Sequence, residues 1–369
     1  MQGLLLFKPE PVATRYKESF GRQFAHQPPV KAIFGADMIN YSLLDLAPIV
    51  QGSSARQALL NARSLAQEAE RQGFQRFWLA EHHNMTGIAS AATAVVIGFV
   101  AEGTKTIRVG SGGIMLPNHA PLMVAEQFGT LASLYPGRID LGLGRAPGTD
   151  SLTMQALRRY HDSVDQFPRD VQELQHYFRV AQPGQAVRAI PGEGLEVPLW
   201  LLGSSLFSAQ LAAALGLPFA FAAHFAPDHL QQALDLYRSG FRPSEQLSSP
   251  HCMAAIPLYA AATEREAQVL MSSVQQQFIA LRRGTPGPLK PPLEDIQQHY
   301  SVGELDAAAH ALREAVVGNP EQVQEGIRAF IHRTGVDEIM FSSHIFEHQK
   351  RLRSIQIAAQ SCRSLAKAA

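Results

Sequence analysis

From about Met38 onward, short apolar runs alternate with longer stretches whose apolar residues recur at helical spacing. The runs at 38–44, 74–80, 105–115, 138–143, 197–202, 217–222, 252–260 and 336–341 read as strands. The stretches at 54–71, 90–101, 121–134, 167–180, 205–215, 227–239, 264–282, 320–334 and 347–359 read as helices. Ser53 and Ser54 supply an N-cap, Gly73 a stop, and Pro136-Gly137 a turn. A hairpin is expected around Gly192-Glu193-Gly194, and the Pro/Gly-rich segment at 284–299 reads as a lid or a disordered surface loop. Eight strands with helices between them predict a (β/α)8 TIM barrel with insertions in its loops, whose active residues sit at the C-terminal ends of the strands. A doubly wound open sheet is the competing architecture.

The barrel domain is expected over 36–363. Residues 1–35 mix basic side chains with four prolines and lack periodicity, so they read as a disordered or non-native arm. Composition narrows the function classes. Lysine plus arginine and aspartate plus glutamate both number 32, which leaves no electrostatic footprint for nucleic acid or an anionic membrane. The longest apolar stretch, 89–101, spans 13 residues and is too short to cross a bilayer. The first residues lack the charged and apolar regions of a signal peptide, and two cysteines make neither a disulfide scaffold nor a CxxC metal site. A cytoplasmic protein is expected.

The barrel rule reduces the search for chemistry to the strand ends. The second strand ends in Glu81-His82-His83, and imidazole suits proton transfer near neutrality. Consecutive residues in an extended chain face opposite sides, so His82 and His83 do not share a metal. There is no HExxH spacing either, and no metal is expected. Gly110, Gly112 and Gly113 end the third strand, where missing side chains would let a flat ring lie against backbone. Ser204, Ser205 and Ser208 open a helix directly after a strand, a place for an anion. Arg145 offers a permanently charged fork for phosphate. Gly142-x-Gly144 is not a dinucleotide fingerprint, because Pro147 holds the third glycine position. Lysine chemistry is disfavoured, since Lys105 sits at the start of its strand. Trp78, His119, His224, Phe225 and the 147–155 loop are weaker candidates for a substrate pocket.

Six segments together resemble the bacterial luciferase-like flavin-dependent monooxygenases, nearest to the YhbW-type subgroup. They are Ser42-Leu-Leu-Asp-Leu-Ala-Pro48, Trp78-Leu-Ala-Glu-His-His-Asn-Met85, Gly110-Ser-Gly-Gly-Ile-Met-Leu-Pro117, Gly129-Thr-Leu, Tyr135-Pro-Gly-Arg-Ile-Asp-Leu-Gly-Leu-Gly-Arg-Ala-Pro147 and Leu201-Leu-Gly-Ser-Ser205. The likeness covers about 38–360. It implies a barrel that binds FMN, often as a homodimer packed through helices of the N-terminal half. A separate NAD(P)H-dependent flavin reductase would supply reduced FMN (FMNH2), which with O2 would form a C4a-peroxyflavin and oxygenate a small organic substrate. By the same likeness His82 is the reactive histidine and Glu81 its electrostatic neighbour. Gly112-Gly113 lies beneath the ring, where a non-prolyl cis peptide is expected, and Arg145, Ser205 and Ser208, with Gly144, Gly203 and Ser204 adjacent, hold the phosphate. Where the luciferases proper have His-Pro, this chain has His119-Ala120-Pro121, which leaves the role of His119 open. The alternatives are a deazaflavin- or flavin-dependent hydride-transfer oxidoreductase on the same fold, a non-catalytic flavin-binding protein, and a metal-dependent barrel hydrolase.

Overall fold

A computed structural model describes residues 39–146, 149–157 and 166–368. The strands are β1 (Asn40–Asp45), β2 (Arg76–Leu79), β3 (Arg108–Met115), β4 (Ile139–Gly144), β5 (Leu199–Gly203), β6 (Phe219–Phe221), β7 (Cys252–Ala260), β8 (Val316–Gly318) and β9 (Glu338–Ser342). The helices are α1 (Ala55–Arg71), α2 (Thr93–Glu102), α3 (Pro121–Leu134), α4 (Ser151–Ala156), α5 (Phe167–Phe178), α6 (Leu206–Leu215), α7 (Leu230–Gly240), α8 (Glu264–Arg282), α9 (Val302–Ala311), α10 (Pro320–Thr334) and α11 (His348–Ala368). The segment expected to form an arm, 1–35, lies outside the described residues.

Every strand pairing is parallel, and β1 contacts both β2 and β9 while β7 contacts both β6 and β9. The ring β1-β2-β3-β4-β5-β6-β7-β9 therefore closes on itself as an eight-stranded TIM barrel. All eight ring strands are those expected from the apolar runs. The ninth, β8, lies outside the ring and pairs only with Leu258–Ala260 at the end of β7.

Alternation along the strands splits the apolar residues into two layers. Leu43, Phe77, Val109, Leu141 and Leu201 face outward and join the helices in the larger core. Leu44, Trp78, Trp200, Met253 and Met340 fill the barrel interior. Towards the strand N-termini that interior becomes ionic. Arg76 Nη1 donates to Asp140 Oδ2 at 2.9 Å and Arg76 Nε to Glu338 Oε1 at 3.0 Å. Arg108 Nε donates to Asp140 Oδ1 at 2.9 Å and Trp78 Nε1 to Asp140 Oδ2 at 3.1 Å.

Three local expectations are corrected. No hairpin forms around Gly192. The segment turns instead, Glu193 N–H donating to Ala189 O at 2.8 Å. Gly192 is packed on helix α3, where a Cβ would sit 2.7 Å from Ala125 O, so the chain docks on a helix and not on a strand. The segment at 284–299 is not a disordered loop. Leu289 is buried and bonded on both sides to the segment after β1, through Gln51 N–H to Leu289 O (2.8 Å) and Leu289 N–H to Ile49 O (2.9 Å). Finally, α4, α9 and β8 are elements that periodicity does not reveal, because they are short or alanine-rich.

Candidate active site

Strand register brings the expected residues to one rim. Leu79 pairs with Ser111, Gly144 lies between Met115 and Leu202, and Gly203 pairs with Phe221. The residues just beyond, Glu81 to His83, Gly112-Gly113, Arg145, Ser204-Ser205 and His224, therefore follow one another around the mouth.

Glu81 is buried and makes the densest contacts there. Its Oε1 lies 2.7 Å from His83 Nε2 and 2.8 Å from His119 Nε2, and its Oε2 accepts the Met115 N–H at 3.1 Å. Burial works to raise the Glu81 pKa, but the bonds from His119, His83 and the Met115 amide outweigh it, and the carboxyl is held below its ordinary value. Glu81 thus holds His83 and His119 in place and reaches His82 through its field. The same bond gives His119 a defined partner. Glu81, His83 and His119 carry donors of the kind a divalent ion takes, all within 4.8 Å of one another. Here these donors hydrogen-bond to one another.

His82 differs from its neighbours. Burial, only partly countered by the charge of Glu81, pushes its pKa down, and its Nδ1 is buried with no hydrogen-bond partner. Its neutral, basic form is thereby favoured. His224 is pushed down to about 3, first by burial and then by the neighbouring imidazoles of His344 and His82, and His344 to about 4, first by burial and then by the Arg351 guanidinium, against the opposing charge of Asp45. His82 contributes to the fields at both, and His224 Nδ1 and His344 Nε2 are also buried without partners. His344 follows β9 and escaped the search of strand ends, although the rule that found His82 applies equally there. Of the weaker pocket candidates, His224 meets Phe225 edge to face at 4.8 Å, and Phe225 is exposed. Trp78 is fully buried, its ring packed at 5.2 Å on Trp200, so it forms a floor within the barrel and not a pocket wall. In the 147–155 loop, residues 147–148 lie outside the described residues. Thr149 Oγ1 donates to His83 O at 3.3 Å, which leans this loop on the one after β2.

The Gly112–Gly113 peptide is cis. A Cβ on Gly112 would sit 2.7 Å from Leu44 Cδ1 and 3.1 Å from Trp78 Cβ, and one on Gly113 would sit 2.7 Å from Gly142 O. Close packing of the barrel thus demands glycine at both positions and leaves bare backbone at the rim.

Arg145 has no ion pair among the described residues, and its guanidinium carbon lies 4.2 Å over the ring of Phe207. Phe207 belongs to the first turn of α6, whose N-cap, Ser205, is extended and makes no side-chain cap bond. Free N–H groups and an unpaired fixed cation meet there, which is the chemistry of a phosphate site. Ser208 is buried beneath Gly203, where a Cβ would meet its side chain at 2.6 Å. It therefore shapes the turn from within. Bare backbone, orphaned ring nitrogens and this anion cradle are what a phosphorylated flavin would use, so the residues present fit the group.

A family model described as luciferase-like monooxygenase matches residues 40–338. A protein of Escherichia coli K12 described as a luciferase-like monooxygenase is 56% identical over 321 residues, covering 87% of this chain and 96% of that protein. Among solved structures, apo-MsnO8 is 31% identical with a TM-score of 0.77, covering 88% of this chain and 98% of that one. The oxygenating constituent of 3,6-diketocamphane monooxygenase from Pseudomonas putida, in complex with FMN, shares the fold at 17% identity, with a TM-score of 0.67 and coverage of 88% and 97%. With nearly the whole barrel matched by the family model and a close relative aligned over almost its full length, this chain belongs to the luciferase-like monooxygenase family.

Proposed function

We propose that this protein binds reduced FMN, received from a separate NAD(P)H-dependent flavin reductase, and uses O2 to place one oxygen atom on a small organic substrate. The observation that carries this reading is the Arg145 guanidinium, without an ion pair among the described residues, beside the start of α6, whose N-cap makes no side-chain bond. A lone, permanently charged fork next to free helical N–H groups favours a phosphate, and reduced FMN brings one. When bound, reduced FMN supplies the two electrons that activate dioxygen.

The chain's own groups divide the remaining work. Arg145, Ser204, Ser205 and the first N–H groups of α6 take the phosphate, with Gly144 and Gly203 allowing close approach. Gly112-Gly113 offers backbone to the ring. His82, neutral and with a buried lone nitrogen, holds or returns one proton at Nδ1. Glu81 keeps His83 and His119 fixed at the edge of the site.

The test is a pair of titrations. Arg145→Ala is expected to weaken FMN about tenfold to a hundredfold and leave riboflavin nearly unchanged, since a charge-assisted hydrogen bond is worth about 1.5–3 kcal/mol. Equal losses for both ligands would refute the phosphate role. Recovery of a deazaflavin from the cell-purified protein would instead favour hydride transfer.

A further inference from the structure

Between β7 and β9 the chain departs from simple strand-helix alternation. It runs through α8, the 283–301 segment, α9 and β8 before α10 returns it to the barrel. This excursion is fixed over the loops that follow β1 and β2. Leu289 is bonded to Ile49 and Gln51 as described, and Gly87 is so close that an added Cβ would meet the Gly287 carbonyl. Under the excursion lies a cavity of about 240 Å³, lined by Gln51, Gln276, Gln277, Ala280, Thr285, Gly287, Pro288 and Lys290.

Three features set the chemistry of this space. Its volume falls below the ~300–1,000 Å³ of drug-sized sites, so its occupant is small. It holds one cation and no carboxylate, and Lys290 has no ion partner among the described residues. Ala280, Pro288 and the stems of the long side chains make the rest of its wall apolar. The cavity is also tied to the rim of the barrel. Gln277 lines it and accepts a hydrogen bond from His344 Nδ1 at 3.1 Å. His344 in turn belongs to the buried histidine group with His82 and His224. An occupant is thus one side chain, Gln277, away from His344.

We propose that this cavity is the substrate vestibule and that it takes a small organic acid, the carboxylate held by Lys290 and the Gln51 carboxamide and the apolar part resting on Ala280 and Pro288. The vestibule serves the oxygenation proposed above and rests on that reading for its purpose, but its ligand preference is measurable without flavin.

The experiment titrates the flavin-free protein with hexanoate and with methyl hexanoate by calorimetry, and separately titrates each variant with FMN. Hexanoate is expected to bind saturably and the ester about two- to fivefold more weakly, the range for an exposed ion pair. Lys290→Gln is expected to remove that preference and Lys290→Arg to restore it. Ala280→Phe, which fills the cavity, is expected to abolish binding of both probes. All three variants are expected to bind FMN as the parent does. No saturable hexanoate binding, equal binding of acid and ester, or an unchanged preference in Lys290→Gln would each overturn the proposal. If FMN fails to bind the parent while hexanoate is still discriminated, the flavin reading falls and the acid site stands.

Discussion

A histidine at the mouth of this barrel is set by how far it is buried and by what its two nitrogens find. His83 and His119 find Glu81, whereas His82, His224 and His344 each keep one buried nitrogen without a partner. Burial drives the pKa values of all three down. Removing the imidazole in His82→Ala is expected to lower product formed per flavin oxidised at least tenfold while FMN still binds, because proton handling contributes about 10²–10⁴-fold in rate. An unchanged coupling ratio would count against the role. The same depressed values make stability depend on pH. Between about 6.5 and 4 the unfolded chain takes up protons that the folded His224 and His344 refuse, so unfolding free energy falls as pH falls. Each histidine contributes up to about 1.4 kcal/mol per pH unit in that window, and its contribution is fully present above about 6.5. Chemical denaturation from pH 7 to 4 is expected to show this slope, reduced in His224→Asn.

At the scale of elements, the lower barrel is held by charge where the upper barrel is held by Leu44, Trp78 and Met340. Asp140 on β4 receives bonds from Arg76 on β2, Arg108 on β3 and the indole of Trp78. One carboxylate therefore fastens three adjacent strands from inside. Asp140→Asn would leave Arg108 without its buried counter-charge and Arg76 with Glu338 alone. It is expected to cost about 3–5 kcal/mol, read as a fall in the urea midpoint with the slope unchanged. A loss below 1 kcal/mol would mean that water or Glu338 compensates. The register also explains why the sequence could place most of the site. Once the eight runs are aligned as parallel neighbours, Glu81, Gly112, Arg145, Gly203 and His224 must fall at one end. The α9 helix was missed because its alanines give weak periodicity, although Ser301 and Glu304 form a capping box that marks its start.

At the scale of the whole molecule, the neighbouring helices α2 and α3 expose Val95 (74%), Met123 (57%) and Leu134 (64%). Exposed apolar side chains on adjacent helices would be covered in the homodimer that the family resemblance implies. Light scattering on the purified chain is expected to give twice the chain mass, and Val95→Asp with Met123→Asp is expected to give the single-chain mass. A monomeric parent would refute the dimer. Among the described residues no helix is long and apolar enough to cross a membrane.

The sequence by itself determined the barrel, because strand and helix periodicities are local and eight parallel units have few ways to close. It also determined that Glu81, Arg145 and Ser205 emerge at one end, since strand direction fixes where they leave the barrel. Only the tertiary structure decided which of those groups meet. Glu81 chooses His83 and His119, separated from it by two and by 38 residues, through side-chain directions that no spacing rule encodes. Likewise the wall at 284–292 becomes part of the rim through backbone bonds to residues more than two hundred positions away, a long-range closure invisible to any window along the chain.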